Sequence, residues 1–181
     1  MQMNDSRVIA ASPAMVWAAL LNPEVLQAAV PGCETLTGSV AEGYEAAVVQ
    51  KVGPVKARFT GLVTFADIVE GQSLTLHGEG KGGAAGFARG EARVTLEPAA
   101  LEDGGEGTNL TYAVEAKVGG KLAQLGSRII DGFARKMADD FFERFADAVE
   151  GPDEEPEDDD ESDDDAPEGK KGWFKRLIGK D

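Results

Sequence analysis

The spacing of hydrophobic residues changes twice along the chain. In "SPAMVWAALLNPEVL", Val16, Trp17, Leu20 and Leu21 recur at helical spacing and predict one buried face. Ser12 can cap the free amides of this helix, and Pro13 fits its first turn, where a missing N–H costs nothing. Asn22-Pro23 interrupts it, "PEVLQAAV" reads as a second short helix, and "PGC" ends that with a turn.

After this turn the period falls to two. "YEAAVVQKV", "VKARFTGLVTFADIV", "SLTLHGEG", "FARGEARVTLEP" and "TNLTYAVEAKV" are separated by glycine-rich or acidic breaks such as "EDGGEG". In the second of these, Val55, Ala57, Phe59, Gly61, Val63 and Phe65 alternate with Lys56, Arg58 and Thr60, as expected of an antiparallel strand with one solvated face. With "DSRVIA" at the start and "ETLTGSV" after the turn, the pattern predicts about seven strands.

Between Gly120 and Glu150 the period returns to about 3.6. Leu125, Ile129, Phe133, Met137, Phe141 and Phe145 recur at every fourth position, which predicts one long amphipathic helix. An apolar stripe of that length must lie on something, and only the sheet is large enough. The expected fold is therefore α+β: a curved antiparallel sheet gripping a long C-terminal helix, with room for an apolar space between them. The chain divides into that domain (1–150), an acidic linker (151–169) with too little to bury to fold alone, and a short tail (170–181).

Charge sharpens this division. Residues 1–150 carry net −7, the linker −12 and the tail +4. An acidic body argues against nucleic acid as a partner. The lone Cys33 allows no internal disulfide, and the lone His77 no histidine-rich metal site, so neither a metal nor a resident cofactor is expected. No signal peptide and no membrane span is evident, and the expected location is inside the cell. "GEGKGG" (78–83) matches a nucleotide-binding pattern formally, but strand alternation resumes after it, so a bent hairpin is expected.

The tail "EGKKGWFKRLIGKD" reads as an interfacial helix. Trp173, Phe174, Leu177 and Ile178 gather on one side, with Lys171, Lys175 and Arg176 placed to meet anionic headgroups. Docking on a partner protein, or folding back on the domain's own acidic face, are the competing readings.

The pieces "SPAMVWAALLNPEVLQAAVPGCETL", "KVGPVKARFTGLV" and "TNLTYAVEAKVGGKLAQLGSRIIDGFARKMADDFFERF" together resemble the G-subunit family of carbon monoxide dehydrogenase across nearly all of residues 1–150. The P-x-x-V-W opening, the PGC turn and the G-G-K-L-A-Q-L-G-S-R stretch carry the resemblance in combination. It implies a START-like (SRPBCC) helix-grip domain with an apolar cavity. It also implies a non-catalytic accessory that recruits a molybdenum hydroxylase to the inner face of the cytoplasmic membrane, where electrons from carbon monoxide oxidation reach the quinone pool. Whether the partner is carbon monoxide dehydrogenase or a related hydroxylase stays open.

On this reading a quinone or similar isoprenoid would lie between strand residues Phe59, Val63, Phe65 and Phe87 and helix residues Leu125, Ile129 and Phe133; the competing outcome is that these residues simply pack as core. A second class of function, a small-molecule cyclase or hydrolase, needs a polar group facing the cavity, with His77, Tyr44, Tyr112 and Glu79 as candidates. A third is an assembly factor for the hydroxylase that needs the membrane only incidentally.

Overall fold

A computed structural model describes residues 1–151; the tail and all but the first residue of the acidic linker lie outside the described residues. The element order is β1 (Gln2–Ile9), α1 (Pro13–Leu20), α2 (Pro23–Ala29), β2 (Cys33–Ser39), β3 (Gly43–Val52), β4 (Val55–Val69), β5 (Ser73–Lys81), β6 (Phe87–Ala100), β7 (Glu106–Gly119), α3 (Lys121–Gln124) and α4 (Ser127–Glu150). The seven strands form one antiparallel sheet in the order β1-β7-β6-β5-β4-β3-β2. From β2 to β7 the chain runs as successive hairpins, while α1 and α2 carry it from the β1 edge to the β2 edge.

Local chemistry accounts for the short helices. The Ser12 hydroxyl accepts from the Met15 amide at 3.3 Å, and the Asn22 side chain accepts from the Glu24 amide at 2.9 Å. The Tyr44 hydroxyl donates to the carbonyl of Leu21, which ends α1, at 2.6 Å. At Gly61 and Gly90 adjacent strands approach too closely for a side chain. A Cβ at either would run into the backbone of the neighbouring strand, at the Glu79 and Glu115 carbonyls. The glycine run 78–83 ends β5 and leads through a 3-10 turn (Gly83–Ala85) straight into β6, so no α-helix follows it.

The single long helix expected over 120–150 is two. Gly126 adopts φ +90, outside the helical region, and separates α3 from α4. The inward stripe also differs from the expected one. A helix turns about 100° per residue, so a strict every-fourth pattern slips by about 40° at each step. Counted back from Phe141, that slip turns Ile129 to the outside, 39% exposed, and brings Ile130 inward beside Phe133.

The packed core occupies one end of the domain. Ile9, Val16, Trp17 and Leu20 meet Leu74, Val94, Leu96 and Leu110 there, together with Phe145 and Val149 from the end of α4. Polar ties hold this half of α4 in place. Arg7 donates to Asp139 at 2.7 Å and to the Tyr112 hydroxyl at 3.5 Å, and its guanidinium lies 5.0 Å from the Phe142 ring centre. Burial opposes the Arg7 charge, but the bonds to Asp139 and Tyr112 outweigh it and raise its pKa above the ordinary guanidinium value. The Glu150 carboxylate accepts from the Ala10 amide at 3.0 Å.

Toward the other end the same faces are only half buried. Leu76, Ala92, Val114 and Ala116 on the sheet look toward Phe133 and Met137 on α4 without closing on them. Among the described residues, no helix is long and apolar enough to cross a membrane.

Two substitutions test this division. Phe145→Ala should lower the unfolding free energy by about 3–5 kcal/mol, whereas Phe133→Ala, whose ring already borders empty space, should cost less than about half of that in urea titrations. Equal losses would mean that the open half is packed. Tyr44→Phe leaves the Leu21 carbonyl without its partner and should cost about 1–2 kcal/mol by the same measurement.

Candidate functional site: an apolar cavity

The space between α4 and the sheet is a cavity of about 620 Å³. Its size follows from small residues on the inner sheet face. Gly80, Ala88, Ala92 and Ala116 stand where larger side chains would reach α4. The walls are Phe59, Val63 and Phe65 from β4, Val114 and Val118 from β7, Leu26 and Val30 from the α2 segment, and Ile130, Phe133, Met137 and Phe141 from α4. Val52, Ala85 and Leu122, all buried, close the domain at the hairpin end.

Few polar side chains border this space, and each has a partner. The Tyr44 hydroxyl is bound to the Leu21 carbonyl, and burial pushes its pKa up. The Tyr112 hydroxyl accepts from Arg7. The Gln50 amide nitrogen donates to the Pro31 carbonyl and lies 4.0 Å from the Met137 sulfur. A volume in the range of small-molecule sites, with no uncommitted hydroxyl or charge in its wall, suits an apolar guest.

Of the seven residues expected at the cavity, Phe59, Val63, Phe65 and Phe133 line it, and Phe87, Leu125 and Ile129 do not. Phe87 opens β6 on the opposite face from Ala88, 37% exposed, with the Arg89 guanidinium 5.9 Å from its ring centre. Leu125 and Ile129 lie at the end of the domain, against the β3–β4 turn at Gly53. Sequence reasoning missed the contribution of the α2 segment. The apolar spacing of Leu26 and Val30 in "PEVLQAAV" was its available signal.

The polar candidates divide in the same way. His77 and Glu79 face the outside of the sheet, in a shallow groove shared with Glu91, Arg89, Glu115 and Lys117. There His77 Nδ1 is 3.5 Å from a Glu91 carboxylate oxygen, and both side chains are about half exposed. Tyr44 and Tyr112 do border the cavity, but their hydroxyls are engaged with Leu21 and Arg7. Cys33 donates to the Thr35 carbonyl at 3.3 Å, and burial pushes its thiol pKa up. Among the described residues, no group of three or more His, Cys, Asp or Glu side chains is placed to hold a metal ion. Trp173, Phe174, Leu177, Ile178, Lys171, Lys175 and Arg176 lie outside the described residues.

Solved structures share this architecture. A conserved protein of Geobacillus kaustophilus is 30% identical with a TM-score of 0.74, the match covering 82% of this chain and 95% of that one. A START superfamily protein of Mycobacterium smegmatis matches at 13% identity and TM-score 0.60, over 82% and 97% of the two chains. Norcoclaurine synthase of Thalictrum flavum, at 16% identity and TM-score 0.52 over 82% and 92%, shows the same fold in an enzyme. No curated protein matches the chain. The family model CoxG, which describes the G subunit of carbon monoxide dehydrogenase, matches residues 6–150. With its helix-grip sheet and cavity, the chain belongs to the CoxG family of carbon monoxide dehydrogenase.

Proposed function

We propose that this protein is a membrane-tethered accessory of a molybdenum hydroxylase of the carbon monoxide dehydrogenase kind, and that its cavity carries a quinone or another isoprenoid. The observation that carries the reading is the apolar cavity of about 620 Å³ whose bordering polar groups are already bonded to the protein. Such a space gains little from a polar substrate, which would lose its hydration without replacement. It gains from an aliphatic chain, at about 25 cal/mol for each Å² of apolar surface removed from water.

The tail supplies the attachment in this proposal. Trp173, Phe174, Leu177 and Ile178 enter the interface, while Lys171, Lys175 and Arg176 meet lipid phosphate. Full burial is worth about 1.5–3 kcal/mol for each large apolar side chain, and each base adds about 1 kcal/mol near an anionic leaflet. Ordering so short a helix takes much of this back, so attachment is reversible. The acidic linker lets the domain move between the bilayer and the enzyme. Localisation at the inner face of the cytoplasmic membrane follows from this reading.

Two experiments test it. Protein purified from membranes and extracted with organic solvent should yield a near-stoichiometric quinone or isoprenoid by mass spectrometry, and Ala92→Phe, which fills the cavity, should yield at least about tenfold less. A chain free of such a molecule would overturn the carrier role. Deleting residues 170–181 should leave hydroxylase assembly intact and slow electron delivery to membrane quinone. Unchanged electron delivery would count against the adaptor role and in favour of the assembly factor, which needs the membrane only incidentally; assembly that fails without the tail would count against both.

A further inference from the structure

The domain is electrically polar along its length. Three segments meet at the end where the cavity stops: the β3–β4 hairpin (51–58), the β5–β6 hairpin (80–90) and the passage from β7 through α3 into α4 (116–130). Their proximity is direct. A Cβ on Gly53 would touch Ile129 and Leu125, and Gly86 lies against Gly119 and Gly120. Together these segments hold Lys51, Lys56, Arg58, Lys81, Arg89, Lys117, Lys121 and Arg128 and not one Asp or Glu. That is eight of the 13 bases in residues 1–150.

The other end is the reverse. The turns at 39–43, 66–73 and 97–106 and the last turn of α4 carry Glu42, Asp67, Glu70, Glu97, Glu102, Asp103, Glu106, Asp147 and Glu150, with no Lys or Arg. All eight bases of the first end are exposed, and among the described residues only Arg58, paired with Glu34 at 2.8 Å, makes an ion pair. Acids flank this end: Glu79 faces Arg89 across the strands, Glu91 and Glu115 share the outer-face groove with Arg89 and Lys117, and Asp131 follows one turn after Arg128. Bases left free in an acidic protein are available to another set of anions.

The same end exposes apolar side chains: Phe87 at 37%, Ile129 at 39%, and Pro54 at the hairpin tip. Bases around protruding apolar groups match an anionic lipid surface, where phosphate meets the charge and the acyl boundary meets the apolar tips. The acidic linker leaves from Gly151, at the far end of a 24-residue helix about 36 Å long, so the linker's origin is well away from the basic end.

We infer that the basic end of the folded domain, formed by the tips of the β3–β4 and β5–β6 hairpins and by α3, is a second membrane-contact surface that seats the cavity's closed end on anionic lipid independently of the tail. Lipid is favoured over an acidic protein surface because it is the source of an apolar guest, and in that choice alone the inference rests on the carrier reading. Val52, Ala85 and Leu122 then stand between the cavity and the bilayer.

The test uses the full chain and vesicles of phosphatidylcholine, alone or mixed in equal parts with phosphatidylglycerol. Replacing Trp173, Phe174, Leu177 and Ile178 together by Ser removes the apolar side of the tail. This variant should still sediment with the anionic vesicles at low salt, and neither with neutral vesicles nor at high salt. Adding Lys51→Glu, Lys56→Glu and Lys121→Glu should cut the bound fraction at least about tenfold. Adding Arg93→Glu, Arg135→Glu and Lys136→Glu, an equal charge change away from that end, should alter it less than about twofold.

Equal losses from the two triple changes would reduce the effect to net charge and overturn the inference. Absence of vesicle binding by the tail variant would also overturn it, and would leave the basic end to an acidic protein partner. Neither result depends on finding an extracted lipid, so the docking surface and the carrier role fail separately.

Discussion

The structure turns on a helix that is packed at one end and suspended at the other. Phe145 and Val149 are locked among Val16, Trp17, Leu74 and Leu110, and Arg7 and Ala10 bind the acidic groups along the same half of α4. Those contacts hold α4 over the sheet without needing its first turns to pack. A helix fixed in this way can span a void, because its own backbone hydrogen bonds keep it rigid. The small residues opposite, Gly80, Ala88, Ala92 and Ala116, then become a floor rather than a packing defect.

A void of this kind carries a cost. Apolar side chains that border empty space lose dispersion contacts that a filled core would have. The packed end must supply enough stability to offset this, which fits the concentration of fully buried residues near α1 and the C-terminal half of α4. The chemistry of the wall limits what can fill the space. With the Tyr44, Tyr112 and Gln50 groups already bonded, a guest finds apolar surface and little else.

Charge follows the same axis. The packed end carries the acidic turns and the origin of the acidic linker; the hollow end carries exposed bases together with Phe87 and Ile129. His77 and Glu91 meet in the groove on the outer face of the sheet, and neither borders the cavity. That separation removes the residue best suited to proton transfer from the space where a substrate would sit.

Much of the fold was legible in residue order. Period-two alternation marks the seven strands, Ser12-Pro13 and Asn22-Pro23 mark the helix starts, and Phe59, Val63 and Phe65 share the inner face because parity along one strand is a local property. The cavity wall was less legible. Phe87 falls on the outer face because it shares strand parity with Arg89, Glu91 and Arg93, a local signal that its own apolarity masks. Ile129 gave way to Ile130 because the helix period is shorter than four, and Leu125 stood outside α4 because Gly126 interrupts it. The sequence by itself determined the elements, their order, the linker charge and the family, since each is written in neighbouring residues. Only the tertiary structure decided which apolar residues are core and which are wall, because that depends on how closely α4 approaches the sheet at each turn. It alone brought Lys51, Lys81, Lys117 and Arg128 to one end, for their neighbourhood is created by hairpins closing far apart in the chain.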